Sequence, residues 1–179
     1  MDRFLSDTDI ADFLDETGAP NIQIYEQITK YKHAKQLFQN NNKTYEYAVI
    51  FLPVQSKSVG HWQLVIKTEK AYYFFDSYGE MPNTKVDKYL GTSANLQRIL
   101  QQERDRELII NNAQYQKYSS DIGTCGRWCL FCLYIFHTYS DADFNLLLDI
   151  VLYLMKRFKF NSPDKLVTAL VNKTLETPL

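Results

Sequence analysis

Cysteine is scarce in this chain. There are three among 179 residues, all between positions 125 and 132. With no distant partner for any of them, a disulfide framework is excluded, and a reducing intracellular compartment is the expectation. Long hydrophobic runs are missing as well. No apolar stretch reaches the ~20 residues of a membrane-spanning helix, and the N-terminus MDRFLSDTDI lacks the order of a signal peptide, so no membrane partner is expected. Neither sign of charge is in excess. Twenty Lys and Arg stand against 21 Asp and Glu, a formal net charge of −1. Nucleic-acid binding rests on a basic surplus, so nothing in the charge supports such a partner. No internal repeat or low-complexity linker divides the sequence, and its length suffices for a real core. The expectation is one domain over residues 1–179.

What the chain does have is aromatic residues, 13 Tyr and 11 Phe among them. Ser6 and Asp9 form an approximate capping box for a first helix, with Ile10, Phe13 and Leu14 on one face. Gly18-Ala19-Pro20 breaks it. Residues 22–40 carry a weaker helical pattern through Ile24, Tyr25, Ile28, Tyr31, Ala34, Leu37 and Phe38, ended by the turn Asn40-Asn41-Asn42-Lys43. Tyr45 to Val54 is rich in strand formers, and Pro53 marks its close or an edge. Two further strands, Gly60 to Ile66 and Ala71 to Asp76, are joined by the short polar segment Lys67 to Lys70 and read as a hairpin. A polar stretch runs from Gly79 to Ser93. Then come a surface helix over Asn95 to Arg106, a short strand Glu107 to Asn111, and helices from Cys125 to about Tyr139, from Asp143 to Phe158 and over 162–173, with Pro163 in the first turn of the last. The pattern predicts an α+β fold: a small mixed sheet, the helix from Cys125 packed centrally, and other helices around it.

The stretch Gln114 to Phe136 carries the chemistry. It begins polar and turn-prone at Ser119, Ser120, Asp121 and Gly123, and ends in a nearly unbroken apolar run from Trp128. Cys125 sits at the junction, the N-terminus of a buried helix. There the macrodipole and the unbonded backbone N–H groups favour negative charge, which biases a thiol toward the nucleophilic thiolate. Gly126 has no Cβ to bar a substrate backbone from approaching. A nucleophile of this kind needs a base, and the base an orienting partner. In the antiparallel hairpin, His61 at the start of one strand lies near Asp76 at the end of the next, so His and Asp share an edge.

The order Gly60-His61-Trp62, then Tyr72-Tyr73-Phe74-Phe75-Asp76-Ser77-Tyr78-Gly79, then an upstream Gln, then Thr124-Cys125-Gly126-Arg127-Trp128-Cys129, resembles the adenovirus-protease and Ulp1-like cysteine peptidases over about residues 47 to 136. Within them the wording of DSYG and CGRWC is similar to the capsid-maturation proteases of adenovirus-like elements, virophages and large DNA viruses. The resemblance implies their fold and a cysteine endopeptidase with Cys125 as nucleophile, His61 as base and Asp76 fixing the imidazole. It also implies cleavage after small residues, often Gly, of viral capsid or scaffold precursors, in host cytoplasm or virion. The backbone N–H of Cys125 supplies one oxyanion donor, and the resemblance implies that a Gln supplies another. Gln116 and Gln114 both stand farther ahead of Cys125 than in the family pattern, so Ser119 to Thr124 must carry an extra turn. Gln116 is preferred, with Gln114 the alternative and Asp121 a third candidate. Trp62 is expected to pack on the imidazole and cover the cleft. The DNA and peptide that assist the adenovirus enzyme are not carried over, and no cofactor is expected.

Plainer roles stand beside these. Asp76 before Ser-Tyr-Gly is also good turn chemistry. Cys129 and Cys132 lie one and two turns along the helix from Cys125 and read as packing. The three cysteines make the C-x3-C-x2-C spacing of a radical iron–sulfur motif, but within an apolar helix rather than a loop. Nor can such a helix wrap three thiolates around a zinc with His33 or His137, so no metal is expected. Three other functions fit parts of the pattern. These are a ubiquitin- or SUMO-like deconjugating peptidase, an effector-type acetyltransferase with the same His-acid-Cys order, and a binding module whose site has died.

Overall fold

The hairpin read from Gly60 to Asp76 forms the middle of a five-stranded sheet. The computed structural model describes residues 5–14, 20–56, 59–82, 95–118 and 123–176. Strands β4 (Tyr47–Ser56), β5 (Val59–Lys67) and β6 (Ala71–Asp76) form an antiparallel meander, β4 with β5 and β5 with β6. At one edge β1 (Ile22–Ile24) pairs parallel with β4, and at the other β7 (Glu107–Ile110) pairs parallel with β6. The order is β1-β4-β5-β6-β7, a mixed sheet as the sequence predicts. A second, two-stranded ribbon joins β2 (Gln39–Asn40) to β3 (Lys43–Thr44). Its turn residues Asn41 and Asn42 have φ of 47° and 63°, a left-handed conformation that Asn tolerates better than most residues.

Both faces of the large sheet are covered, so its strands read as almost continuous apolar runs rather than clean alternation. One face carries Val49, Leu64, Ile66 and Phe75 against α4 (Cys125–Thr138), with α1 (Asp7–Leu14), α5 (Phe144–Phe158) and α6 (Pro163–Glu176) outside it. The other carries Ile50, Leu52, Val65 and Phe74 against α2 (Tyr25–Ile28), a 3-10 turn (Ala34–Phe38) and α3 (Asn95–Gln101). In α4, Trp128, Cys129, Leu130 and Cys132 are all buried, which makes it the central helix. Local signals set the helix starts. Ser6 and Asp9 form the expected capping box, with the Ser6 backbone N donating to Asp9 Oδ2 at 2.8 Å and the Asp9 N to Ser6 Oγ at 3.2 Å. Asp143 caps α5 by accepting from the Leu146 N at 2.8 Å.

The weak helix expected over residues 22–40 is corrected. Ile22–Ile24 is an edge strand, one helical turn follows over Tyr25–Ile28, and Ala34–Phe38 is 3-10. Buried Asn21 explains the change, because its Nδ2 donates to the Leu37 and Tyr47 carbonyls at 2.9 and 2.6 Å. That ties the segment to β4, and such a tertiary tie overrides a weak propensity. Helix α3 stops at Gln101 rather than Arg106. Arg106 instead folds back on β6, its guanidinium 5.7 Å from the Tyr72 ring. The break at Gly18-Ala19, the polar stretch over 83–93 and Asp121 lie outside the described residues.

Candidate active site

Sheet register places the first two groups. Gln63 and Asp76 are cross-strand partners. His61 lies two residues farther out on β5, so it shares Gln63's side of the strand. Its Nε2 meets Asp76 Oδ2 at 2.8 Å. The same carboxylate oxygen accepts from Gln63 Nε2 at 2.9 Å, and Oδ1 accepts from the Tyr78 N at 2.8 Å. Asp76 itself is wholly buried. Asn111, just past β7, fixes its backbone: Asn111 Oδ1 accepts from the Asp76 N at 2.7 Å, and Nδ2 donates to the Asp76 carbonyl at 3.0 Å.

Cys125 is the first residue of α4 and hydrogen bonds to the His61 side chain. Because Nε2 is committed to Asp76, the nitrogen left to exchange a proton with Cys125 is Nδ1. Burial alone would lower the His61 pKa. The charge and hydrogen bond of Asp76, then those of Cys125, outweigh it and raise the value from 6.5 to about 9. His61 is therefore an imidazolium at neutral pH. Cys129 and Cys132 sit deep in the core, where burial pushes both thiols well above their ordinary range, as expected of packing residues.

Gln116 is buried against the turn that follows Asp76. Its Oε1 accepts from Ser77 Oγ at 2.9 Å, and its Nε2 donates to the Tyr78 hydroxyl at 3.0 Å. The backbone N–H groups of Tyr115 and Gln116 both donate to the Ser77 carbonyl at 2.9 Å. Gln114 turns elsewhere, donating from Nε2 to the Gln116 carbonyl at 2.9 Å. Of the two glutamines, Gln116 is the one whose amide is tied to the His61 neighbourhood.

Two expectations change. Tyr78, not Trp62, stacks on the imidazole, with centroids 5.2 Å apart at an interplanar angle of 22°. Adjacent strand residues point to opposite faces, so Trp62 is directed away from His61. It packs on Phe51 at 4.7 Å and donates from Nε1 to the Leu5 carbonyl at 3.2 Å. Gly126 does lack a Cβ for a reason, but a different one. A Cβ there would lie 3.2 Å from the Trp62 ring and 3.3 Å from Leu5 Cβ, so the room next to its Cα is filled by the protein itself. Sequence reasoning missed Gln63, Tyr78 and Asn111. The strand pattern held one signal, since Gln63 is a polar residue inside an apolar run.

Tyr78 is in turn stacked on Tyr118, with centroids 4.3 Å apart at 5°, and the Tyr118 hydroxyl donates to Glu80 Oε1 at 2.5 Å. Burial first, then negative charge at Cys125 and Asp76, holds the Tyr78 phenol far above its ordinary pKa, so it stays neutral. Among the described residues no cluster of three His, Cys, Asp or Glu could hold a metal ion, and no helix is long and apolar enough to cross a membrane.

No family model matches the chain. It is similar to the uncharacterized protein V9 of Sputnik virophage, 28% identical over 173 residues that cover 92% of this chain and 91% of that one. Among solved structures it is similar to the SUMO protease Ulp1 with its catalytic cysteine oxidized to a sulfenic acid, at 15% identity and a TM-score of 0.42 over 97% of this chain and 80% of that one. It is also similar to the C-terminal Ulp1 protease domain in complex with Smt3, the yeast ortholog of SUMO, at 15% identity and a TM-score of 0.42 over 97% and 79%.

Proposed function

We propose that the chain is a cysteine endopeptidase in which Cys125, His61 and Asp76 act as a triad. The observation that carries this reading is the line of three buried groups, Asp76 carboxylate to His61 imidazole to Cys125 thiol. It begins on a strand end and finishes on a helix N-terminus. A buried imidazolium between a carboxylate and a thiol favours the thiolate.

In the proposed reaction the Cys125 thiolate attacks the scissile carbonyl carbon, and the carbonyl π electrons move to oxygen. The backbone N–H of Cys125 and the Gln116 amide face the oxyanion. As the oxyanion collapses, the C–N bond breaks and His61 Nδ1 gives its proton to the leaving amine. A water then attacks the thioester and passes a proton to His61. The C–S bond breaks, releasing the acid and restoring the pair. Asp76 keeps the imidazole oriented throughout and stays ionised. The substrate class proposed is a viral capsid or scaffold precursor cut after a small residue such as Gly, in the reducing interior of an infected cell or in the virion. The similarity to a virophage protein over nearly the whole of both chains directs the search to virion proteins.

The test is peptide-bond cleavage, with wild type and Cys125→Ala each incubated with a proteome-derived peptide library and the products read by mass spectrometry. Cleavage by wild type alone, clustered after Gly or another small residue, is the expected outcome. No cleavage from a protein whose Cys125 also fails to react with iodoacetamide would remove the nucleophile assignment.

A further inference from the structure

Asp164 lies outside the triad, yet it touches three parts of the site's frame. It is in the first turn of α6 and is buried. Its Oδ2 accepts from the Lys117 backbone N at 3.0 Å, next to Gln116. Its Oδ1 accepts from Thr124 Oγ1 at 2.5 Å, next to Cys125, and from the Trp128 indole Nε1 at 3.3 Å, one turn into α4. One carboxylate thus grips both ends of the segment between Gln116 and Cys125. A single anion suits this because only a carboxylate accepts on both oxygens with no donor of its own. Thr124 occupies the N-cap position of α4 but makes no side-chain cap. Its hydroxyl is aimed at Asp164, so it does not occupy the first-turn amides that an oxyanion would use.

We infer that Asp164 is a positioning residue that sets the Gln116 amide and the Cys125 backbone N–H at a fixed separation. Gln116 and Cys125 stand well apart along the chain, and the carboxylate answers that directly. When both ends are tied to one group, the length of chain between them no longer decides where they stand. The inference deepens the peptidase reading and rests on it for its catalytic consequence.

Asp164→Asn separates this role from bulk stability, because it keeps the shape while turning one oxygen into a donor. In either amide orientation an N–H of Asn then faces an N–H donor, that of the Lys117 backbone or that of the Trp128 indole. On a peptide that wild type cleaves, kcat is expected to fall about 10- to 100-fold in Asp164→Asn, with KM and the rate of Cys125 alkylation by iodoacetamide changed less than about threefold. Alkylation at a saturated carbon forms no oxyanion, so it reports the thiolate without the hole. Unchanged kcat, or alkylation lost in step with turnover, would overturn the assignment. If wild type cleaves no peptide, the peptidase reading stands or falls on Cys125 alkylation, separately from the clamp. The clamp is then judged by amide hydrogen exchange: faster exchange at Lys117 in Asp164→Asn, with β5 and β6 amides unchanged, upholds it, and unchanged protection at Lys117 defeats it.

Discussion

His61 keeps its proton because of Asp76. Burial opposes the charge, and the carboxylate at 2.8 Å, with help from Cys125, reverses that and carries the pKa from 6.5 to about 9. The sign of the linkage follows. The folded protein binds this proton more tightly than the unfolded chain, so the stabilisation is complete below pH 6.5 and is lost as pH rises through about 9. Its size is about 3 kcal/mol. Activity that needs the imidazolium should show an alkaline limb near the same pH. In Asp76→Asn the carboxylate charge is gone and burial dominates, so the limb should move below 6.5 and kcat/KM at neutral pH should drop about 100-fold. A pH profile of kcat/KM, with an NMR titration of the His61 ring, measures both; a limb that stays near 9 would mean that Asp76 does not set the imidazole's charge. At this scale the sequence was legible where a residue's place followed from one local element. Cys125 at a helix start and His61 with Asp76 across a hairpin are of that kind. Tyr78, Asn111 and Asp164 were not, because their roles exist only after distant segments meet. Asp164 is 40 positions from Thr124 and 47 from Lys117.

Between elements, Gly60 near the start of β5 lies tight against β4. A Cβ on Gly60 would lie 2.3 Å from the Leu52 carbonyl oxygen and 2.6 Å from the Phe51 ring. The ring could turn, but the carbonyl belongs to the strand backbone. Gly60→Ala is therefore expected to destabilise by about 1–3 kcal/mol, seen as a lower urea midpoint. Because His61 is the next residue, cleavage should fall beyond the loss of folded protein. An unchanged midpoint would show that β4 can yield at no cost. Gly60, the expected first residue of its strand, is paired with Pro53 of β4. The hairpin itself and the helices from Cys125, Asp143 and Pro163 were legible because period, cap and turn residues agree there. Residues 22–40 misled because their helical spacing was weak and the deciding contacts of Asn21 are with the Leu37 and Tyr47 carbonyls.

For the molecule as a whole, the sheet divides the interior into two cores, and Cys125 belongs to the one under α4. Phe74 and Phe75 are adjacent on β6, both fully buried, and face opposite cores. The expectation of a single domain over 1–179 makes a definite claim about them. If the sheet couples its two layers, Phe74→Leu and Phe75→Leu each cost about 1–3 kcal/mol and shift one cooperative transition. Circular dichroism and tryptophan fluorescence should then report the same midpoint. The optical probes are one-sided, since Trp62 and Trp128 both lie in the α4 core. Loss of the far core alone would thus appear as a circular dichroism change that fluorescence misses. Separate midpoints in Phe74→Leu would show that the layer carrying α2 and α3 melts independently. Coincident midpoints would mean that the layer far from Cys125 shares in holding β5 and β6, and so His61 and Asp76, in register.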